Sequence, residues 1–98
     1  MAIRSWANEE TKSIYHGINN NSTRKKLPRT LHGKAQERLD VLDNTHNLYS
    51  LSKIKSYRLE KLKGDRLGQF SIRINKQYRI CFYFKNNDAY FVDITDYH

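Results

Sequence analysis

The sequence predicts an α+β fold, with two N-terminal helices packed on a twisted antiparallel sheet of about four to five strands. Three observations carry this. Apolar residues recur at helical spacing through the first half of the chain, the period changes to two from Tyr57 onward, and turn-forming residues separate the period-two runs. The 98 residues are expected to form a single domain, residues 1–98, and their 38% apolar content suits one small core.

Ile3 to Ala7 reads as a short first strand, with Trp6 partly buried. Asn8 offers an N-cap, and Glu9 and Glu10 suit the positive end of a helix. Thr11, Ile14, Tyr15 and Ile18 recur at helical spacing, which predicts helix one over about residues 9–17. Residues 17–23 form a turn-rich connection. Pro28 suits the first turn of helix two, expected at about 28–44. Leu27, Leu31, Ala35, Leu39 and Leu42 make its apolar stripe, with Arg29, Lys34, Glu37, Arg38 and Asp40 on the other sides. Residues 45–56 suit a short helical turn and a loop.

The strands follow. Phe70, Ile72 and Ile74 alternate with Ser71 and Arg73. Tyr78, Ile80, Phe82 and Phe84 alternate with Arg79, Cys81 and Tyr83. Tyr90, Val92 and Ile94 alternate with Phe91 and Asp93. Most strand aromatics thus share the parity of the Ile and Val residues; Tyr83 and Phe91 are exceptions. Asn86, Asn87 and Asp88 supply a turn. A three-residue loop at 75–77 sets Ile74 opposite Tyr78, Ile72 opposite Ile80 and Phe70 opposite Phe82, whereas a shorter loop scrambles both faces. Arg73 then opposes Arg79 on the other face. Like charges so placed repel, which an anion between them relieves. Leu59 and Leu62 differ in parity, so a bulge or strand end lies between them.

The formal net charge is +8. Between Lys53 and Arg79 lie nine basic residues against Glu60 and Asp65, and nine minus two leaves +7 in that stretch. Such a sheet favours a polyanionic partner, because neutralising phosphates releases counterions. Cys81 is alone, which excludes an internal disulfide. With no apolar leader in MAIRSWANEE, the chain is expected in a reducing cytoplasm. No run approaches the ~20 apolar residues that span a bilayer, and no Cys or His cluster has zinc-ligand spacing.

The string LKGDRLGQFSIRINKQYRICF, followed by DAY and DYH, resembles the HigB toxins (the plasmid-maintenance killer family) of the RelE/ParE superfamily. The likeness extends over nearly the whole chain, including the opening IRSW, the Leu-Pro before helix two and the Leu-Asp near its end. It implies a RelE-like α+β microdomain and an mRNA endoribonuclease, an interferase acting in the ribosomal A site. It implies as partners the 70S ribosome with its mRNA and a HigA-like helix-turn-helix antitoxin, in a hetero-oligomer that binds operator DNA through the antitoxin. No membrane partner and no cofactor are implied.

Metal-free RNA cleavage uses the ribose 2′-OH as nucleophile on the adjacent phosphate. A base takes the 2′ proton, an acid protonates the 5′ oxygen, and cations steady the five-coordinate phosphate. His98, matched to the family's terminal His, is the natural proton handler near neutrality. Asp96 either orients His98 or accepts the 2′ proton, and Tyr97 stacks on a base or donates to the phosphate. The resemblance matches Lys63 to a functional lysine and Arg79 to the arginine that grips the scissile phosphate, a task suited to its planar fork. Arg73 supports it. Arg66, Lys61, Arg58, Lys53, Lys55 and Lys76 are expected backbone contacts. Two alternatives stand beside this reading: a ParE-like non-enzymatic gyrase inhibitor and a plain RNA-binding module with stacking aromatics on its sheet.

Overall fold

In the computed structural model, which describes residues 2–97, four α-helices precede the sheet: α1 (Glu9–Tyr15), α2 (Asn21–Lys26), α3 (His32–Asn44) and α4 (Leu48–Ser52). Four strands follow, β1 (Glu60–Lys61), β2 (Gln69–Arg73), β3 (Tyr78–Lys85) and β4 (Asp88–Asp96), in spatial order β1-β2-β3-β4. Every neighbouring pair is antiparallel. The α+β class is as the sequence predicts.

The helical half differs in its divisions. The Asn8 side chain accepts from the Thr11 N–H and starts α1, as expected. The helix ends at Tyr15 rather than at residue 17, because Gly17 adopts the left-handed region (φ +80°). α2 begins inside the stretch read as a connection and runs on through Arg24, Lys25 and Lys26. Asn20 and Thr23 form a reciprocal capping box there, so an Asn that signals a turn in sequence acts as a cap in space. Helix two of the sequence becomes a 3₁₀ turn, Arg29–Leu31, followed by α3. His32 is buried, with Nε2 at 2.8 Å from the Leu27 carbonyl and 3.3 Å from that of Thr23, which binds the end of α2 to the start of α3.

The expected first strand does not join the sheet as a strand. Residues 2–7 run alongside β4 through two isolated parallel bridges, Ile3 with Ala89 and Trp6 with Val92. Asp88 fixes this segment, accepting from the Ala2 N–H at 2.8 Å and from Arg4 Nε at 2.9 Å. The Asp88 carboxyl is held below its ordinary range, chiefly by the Arg4 hydrogen bond and then by that from Ala2.

The core lies between the helices and one face of the sheet. Leu27, Ala35, Leu39 and Leu42 of the predicted stripe are fully buried against Ile72, Ile80, Phe82, Val92 and Ile94. Arg38 departs from its solvent assignment and is buried. Its guanidinium lies 4.7 Å from the Tyr57 ring centroid, and its Nε donates to the Arg73 carbonyl at 2.8 Å. A long stem lets the charged head cross the helix edge and reach the end of β2.

The predicted hairpin register holds in full: Phe70 pairs with Phe82, Ile72 with Ile80 and Arg73 with Arg79. Asn75 organises the loop by accepting from the N–H groups of Gln77 and Tyr78. The β3–β4 hairpin turns through Asn86 and Asn87, both at positive φ, as a two-residue turn that follows the strand twist requires. One correction falls in β4. Cys81 pairs with Asp93 but Tyr83 pairs with Tyr90, so Phe91 and Val92 together oppose Phe82. This β-bulge breaks strict alternation. Ala89, rather than Tyr90, enters the core, and Tyr90 shares the face of Tyr83.

Candidate active site

The sheet face turned away from the helices carries Ser71 and Arg73 on β2 and Arg79 and Cys81 on β3. Parity places them there, because their strand neighbours Ile72, Ile80 and Phe82 fill the core. Near the loop that joins β2 to β3, Arg58, Leu59, Glu60, Arg73 and Arg79 line an open cleft of about 300 Å³. Three of these side chains are cationic and one is anionic. Arg58 reaches the cleft from a left-handed turn (φ +47°) that ends the 3₁₀ segment Lys55–Tyr57.

Arg79 is the best-held side chain of the cleft. Its Nη1 donates to Glu60 Oε1 at 2.9 Å and to Ser71 Oγ at 3.3 Å. Its guanidinium carbon lies 5.2 Å from the centroid of the Tyr97 ring, a cation–π distance. Its side chain is only 13% exposed. Among the described residues, the Nε atoms of Arg79 and of Arg73 are buried with no hydrogen-bond partner. Unpaired buried donors cost about 1–3 kcal/mol each, and two on facing arginines leave the cleft short of acceptors. Glu60 supplies one. No sequence pattern marks Glu60 as a site residue, because β1 is only two residues long and Leu59 and Leu62 differ in parity. Its register opposite Ser71 places its carboxylate diagonally across β2 from Arg79.

The chain end is drawn to the cleft by the hairpin loop. The Tyr97 N–H donates to the Gln77 carbonyl at 3.0 Å, and Gln77 Nε2 donates to Asp96 Oδ2 at 2.9 Å. These contacts extend the β4 edge beyond Asp96 and bring the Tyr97 ring over Arg79. His98 lies outside the described residues.

The other predicted residues are less closely grouped. Lys63 is exposed, on extended backbone just before the 3₁₀ turn Gly64–Arg66. Arg66 packs across the sheet face: Nη1 donates to Gln69 Oε1 at 3.0 Å, and Nη2 lies 3.5 Å from Asp93 Oδ2 and 3.4 Å from Thr95 Oγ1. Asp93 also takes Asn8 Nδ2 at 2.8 Å and Lys26 Nζ at 3.1 Å, so Arg66 belongs to a polar cluster that joins α1, α2 and the sheet. Lys61 is exposed on β1, and Lys55 and Lys76 are exposed in turns. Lys53 covers the Tyr49 ring at 4.7 Å. Cys81 is fully buried beneath this face, and burial pushes its thiol up to about 11, so it is a protonated packing group at neutral pH. Among the described residues no three His, Cys, Asp or Glu side chains gather as metal ligands, and no helix is long and apolar enough to cross a membrane.

A family model described as RelE-like toxin of type II toxin–antitoxin system HigB matches residues 6–98. The chain is 38% identical over 65 residues to Endoribonuclease HigB of Proteus vulgaris, covering 66% of this chain and 70% of that protein. It is 29% identical over 76 residues to an uncharacterized protein of Haemophilus influenzae, covering 78% and 75%. The YoeB–YefM complex from Staphylococcus aureus contains a chain of similar fold, with a TM-score of 0.59, 19% identity and coverage of 100% of this chain and 99% of that one.

Proposed function

From the premise that the chain belongs to the HigB-like family of RelE-like toxins, we propose that it is the toxin of a type II toxin–antitoxin pair and an endoribonuclease that blocks translation by cutting mRNA on the ribosome. The observation that carries the mechanism is the pair of facing arginines, Arg73 and Arg79, each with a buried Nε that lacks an acceptor among the described residues. A phosphodiester supplies several oxygens at once, and a guanidinium fork fits two of them. On this reading the scissile phosphate enters the cleft and displaces the Glu60 carboxylate from Arg79.

The chemistry then runs on this chain's own groups. Arg79, steadied by Ser71 and Tyr97, holds the phosphate as charge develops on it, with Arg73 on its other side. The 2′-OH attacks the phosphorus, its proton leaves to a base, and the 5′ oxygen departs with a proton from an acid. The products are a 2′,3′-cyclic phosphate and a 5′-OH. Asp96, Tyr97, His98 and Lys63 are the proposed proton-handling and charge-stabilising groups. Arg58, Lys61, Arg66, Lys53, Lys55 and Lys76 offer charge to the flanking backbone and to ribosomal RNA. Residues 1–98 work as one toxin domain in the cytoplasm, silenced by a HigA-like helix-turn-helix antitoxin that carries the complex to operator DNA.

The test is primer extension on a defined mRNA incubated with the purified protein, with and without 70S ribosomes. The reading expects breaks only with ribosomes, leaving 5′-OH ends. Intact mRNA under conditions where the protein still arrests growth, together with a DNA-damage response, would count for gyrase poisoning instead.

A further inference from the structure

The open face of the sheet has a second, different end. Beyond Cys81, β3 continues to Tyr83, 39% exposed, whose ring meets Phe91, 58% exposed, edge to face at 6.1 Å between centroids. Tyr90 joins them by its pairing with Tyr83. Tyr83, Phe84, Lys85, Asn86, Tyr90 and Phe91 enclose an open hollow of about 470 Å³. Phe91 stands at φ +51°, a left-handed conformation that a bulky aromatic residue rarely adopts. The bulge that imposes it re-aims this ring towards Tyr83 and out of the core, where Val92 takes the buried place. The Phe91 N–H donates to Ser5 Oγ at 2.9 Å, so the N-terminal segment holds the strained backbone while the large apolar ring stands in solvent, an arrangement that points to a use for the ring. Gly68, at φ +93°, lets the preceding loop approach Tyr83 closely: a Cβ there would stand 3.4 Å from the ring.

We propose that Tyr83 and Phe91 form a stacking platform for an unpaired RNA base flanking the scissile phosphate. The proposal rests on the endoribonuclease reading and adds a base-binding subsite to it. Continuity carries it. Arg79 and Tyr83 lie on one strand and one face, four residues apart in sequence, which is roughly 13 Å along a strand. A short single strand leaving the cleft reaches the platform, and Arg66 and Lys85 border its course. Aromatic faces beside cationic side chains are the equipment that single-stranded RNA recognition uses, with bases stacked on rings and phosphates on charges. A protein partner would find few aliphatic anchors here, Leu67 being the exposed one on the adjacent loop.

The experiment measures the anisotropy of a fluorescein-labelled hexanucleotide RNA, 2′-O-methylated throughout to prevent attack, in low salt. It compares wild type, Tyr83→Leu, Phe91→Asn, Tyr83→Phe and Arg79→Ala. Phe91→Asn is chosen because Asn tolerates positive φ, so the variant keeps the bulge. Stacking of one base predicts that Tyr83→Leu and Phe91→Asn each lose about tenfold in affinity, that Tyr83→Phe does not, and that an abasic residue at the stacked position erases the difference between wild type and variants. Unchanged affinity in Tyr83→Leu and Phe91→Asn, with Arg79→Ala weakened, would overturn the platform and leave the cleft standing. Wild type that fails to bind the oligonucleotide would overturn the platform, and the endoribonuclease reading is then decided separately by the ribosome-dependent primer-extension assay. Retained RNA affinity with loss of co-purification with a co-expressed antitoxin would overturn the platform and assign the rings to a protein contact.

Discussion

Arg79 touches Glu60 at 2.9 Å, Ser71 at 3.3 Å and the Tyr97 ring at 5.2 Å, yet its Nε has no acceptor among the described residues. Glu60 is thus an internal anion on an arginine that the proposed reaction assigns to phosphate. The two demands compete. With Glu60 53% exposed, the ion pair adds no more than about 1 kcal/mol to stability. Substituting Glu60→Gln should therefore leave the melting temperature within a few degrees, and should tighten binding of a non-cleavable RNA by about three- to tenfold as Arg79 is released. Titration of labelled RNA into both proteins checks this. Weaker binding by Glu60→Gln would mean that the carboxylate positions Arg79 rather than competing for it.

At the scale of elements, two ionisable groups tie packing to pH. The Tyr15 hydroxyl on α1 lies 3.2 Å from Asp40 and 3.4 Å from Asp43 of α3. Desolvation first, then these carboxylates, push its pKa from 10.0 up to about 12. Burial likewise raises Cys81 on β3 from 9.0 to about 11. Both groups are favoured neutral in the fold. Their contribution is complete below the unfolded-state pKa values and is lost as pH climbs through the folded ones. Denaturant midpoints should hold steady to about pH 9 and fall between about pH 9 and 12, and Tyr15→Phe should flatten the upper part of that fall. A midpoint that stays level through this window would refute the assignment. The same elements mark how far the sequence is legible. The β2–β3 register follows from parity and loop length alone, because a slip of one residue would expose a whole apolar face. α2 is hidden because six residues carry no periodic stripe, and its capping box reads equally as a turn. The N-terminal segment looks like a strand because Asp88 and β4 complete its hydrogen bonds from outside, which no local pattern reveals. The bulge at Phe91 is invisible for a related reason: it depends on the partner strand.

On the scale of the whole molecule, the helices cover one face of the sheet and leave the other open, with arginines at one end and aromatic rings at the other. Charge concentrated between Lys53 and Arg79 marks the cationic end of the sheet in sequence, and the resemblance is what points to Lys63, Arg79 and the DYH end. Glu60 and the true face of Tyr90 needed the register. The central claim rests on Arg79, whose side chain lies outside the apolar core, so Arg79→Ala and Arg79→Lys should fold. The decisive measurement is the rate of ribosome-dependent mRNA cleavage by wild type and these two variants, each shown to be folded by its melting curve. The account predicts a loss of about 10²–10³ for Arg79→Ala, the scale of one removed transition-state contact, and a substantial loss for Arg79→Lys, which keeps charge but not the fork. Full-rate cleavage by folded Arg79→Ala would contradict it and move the reaction to another part of the surface.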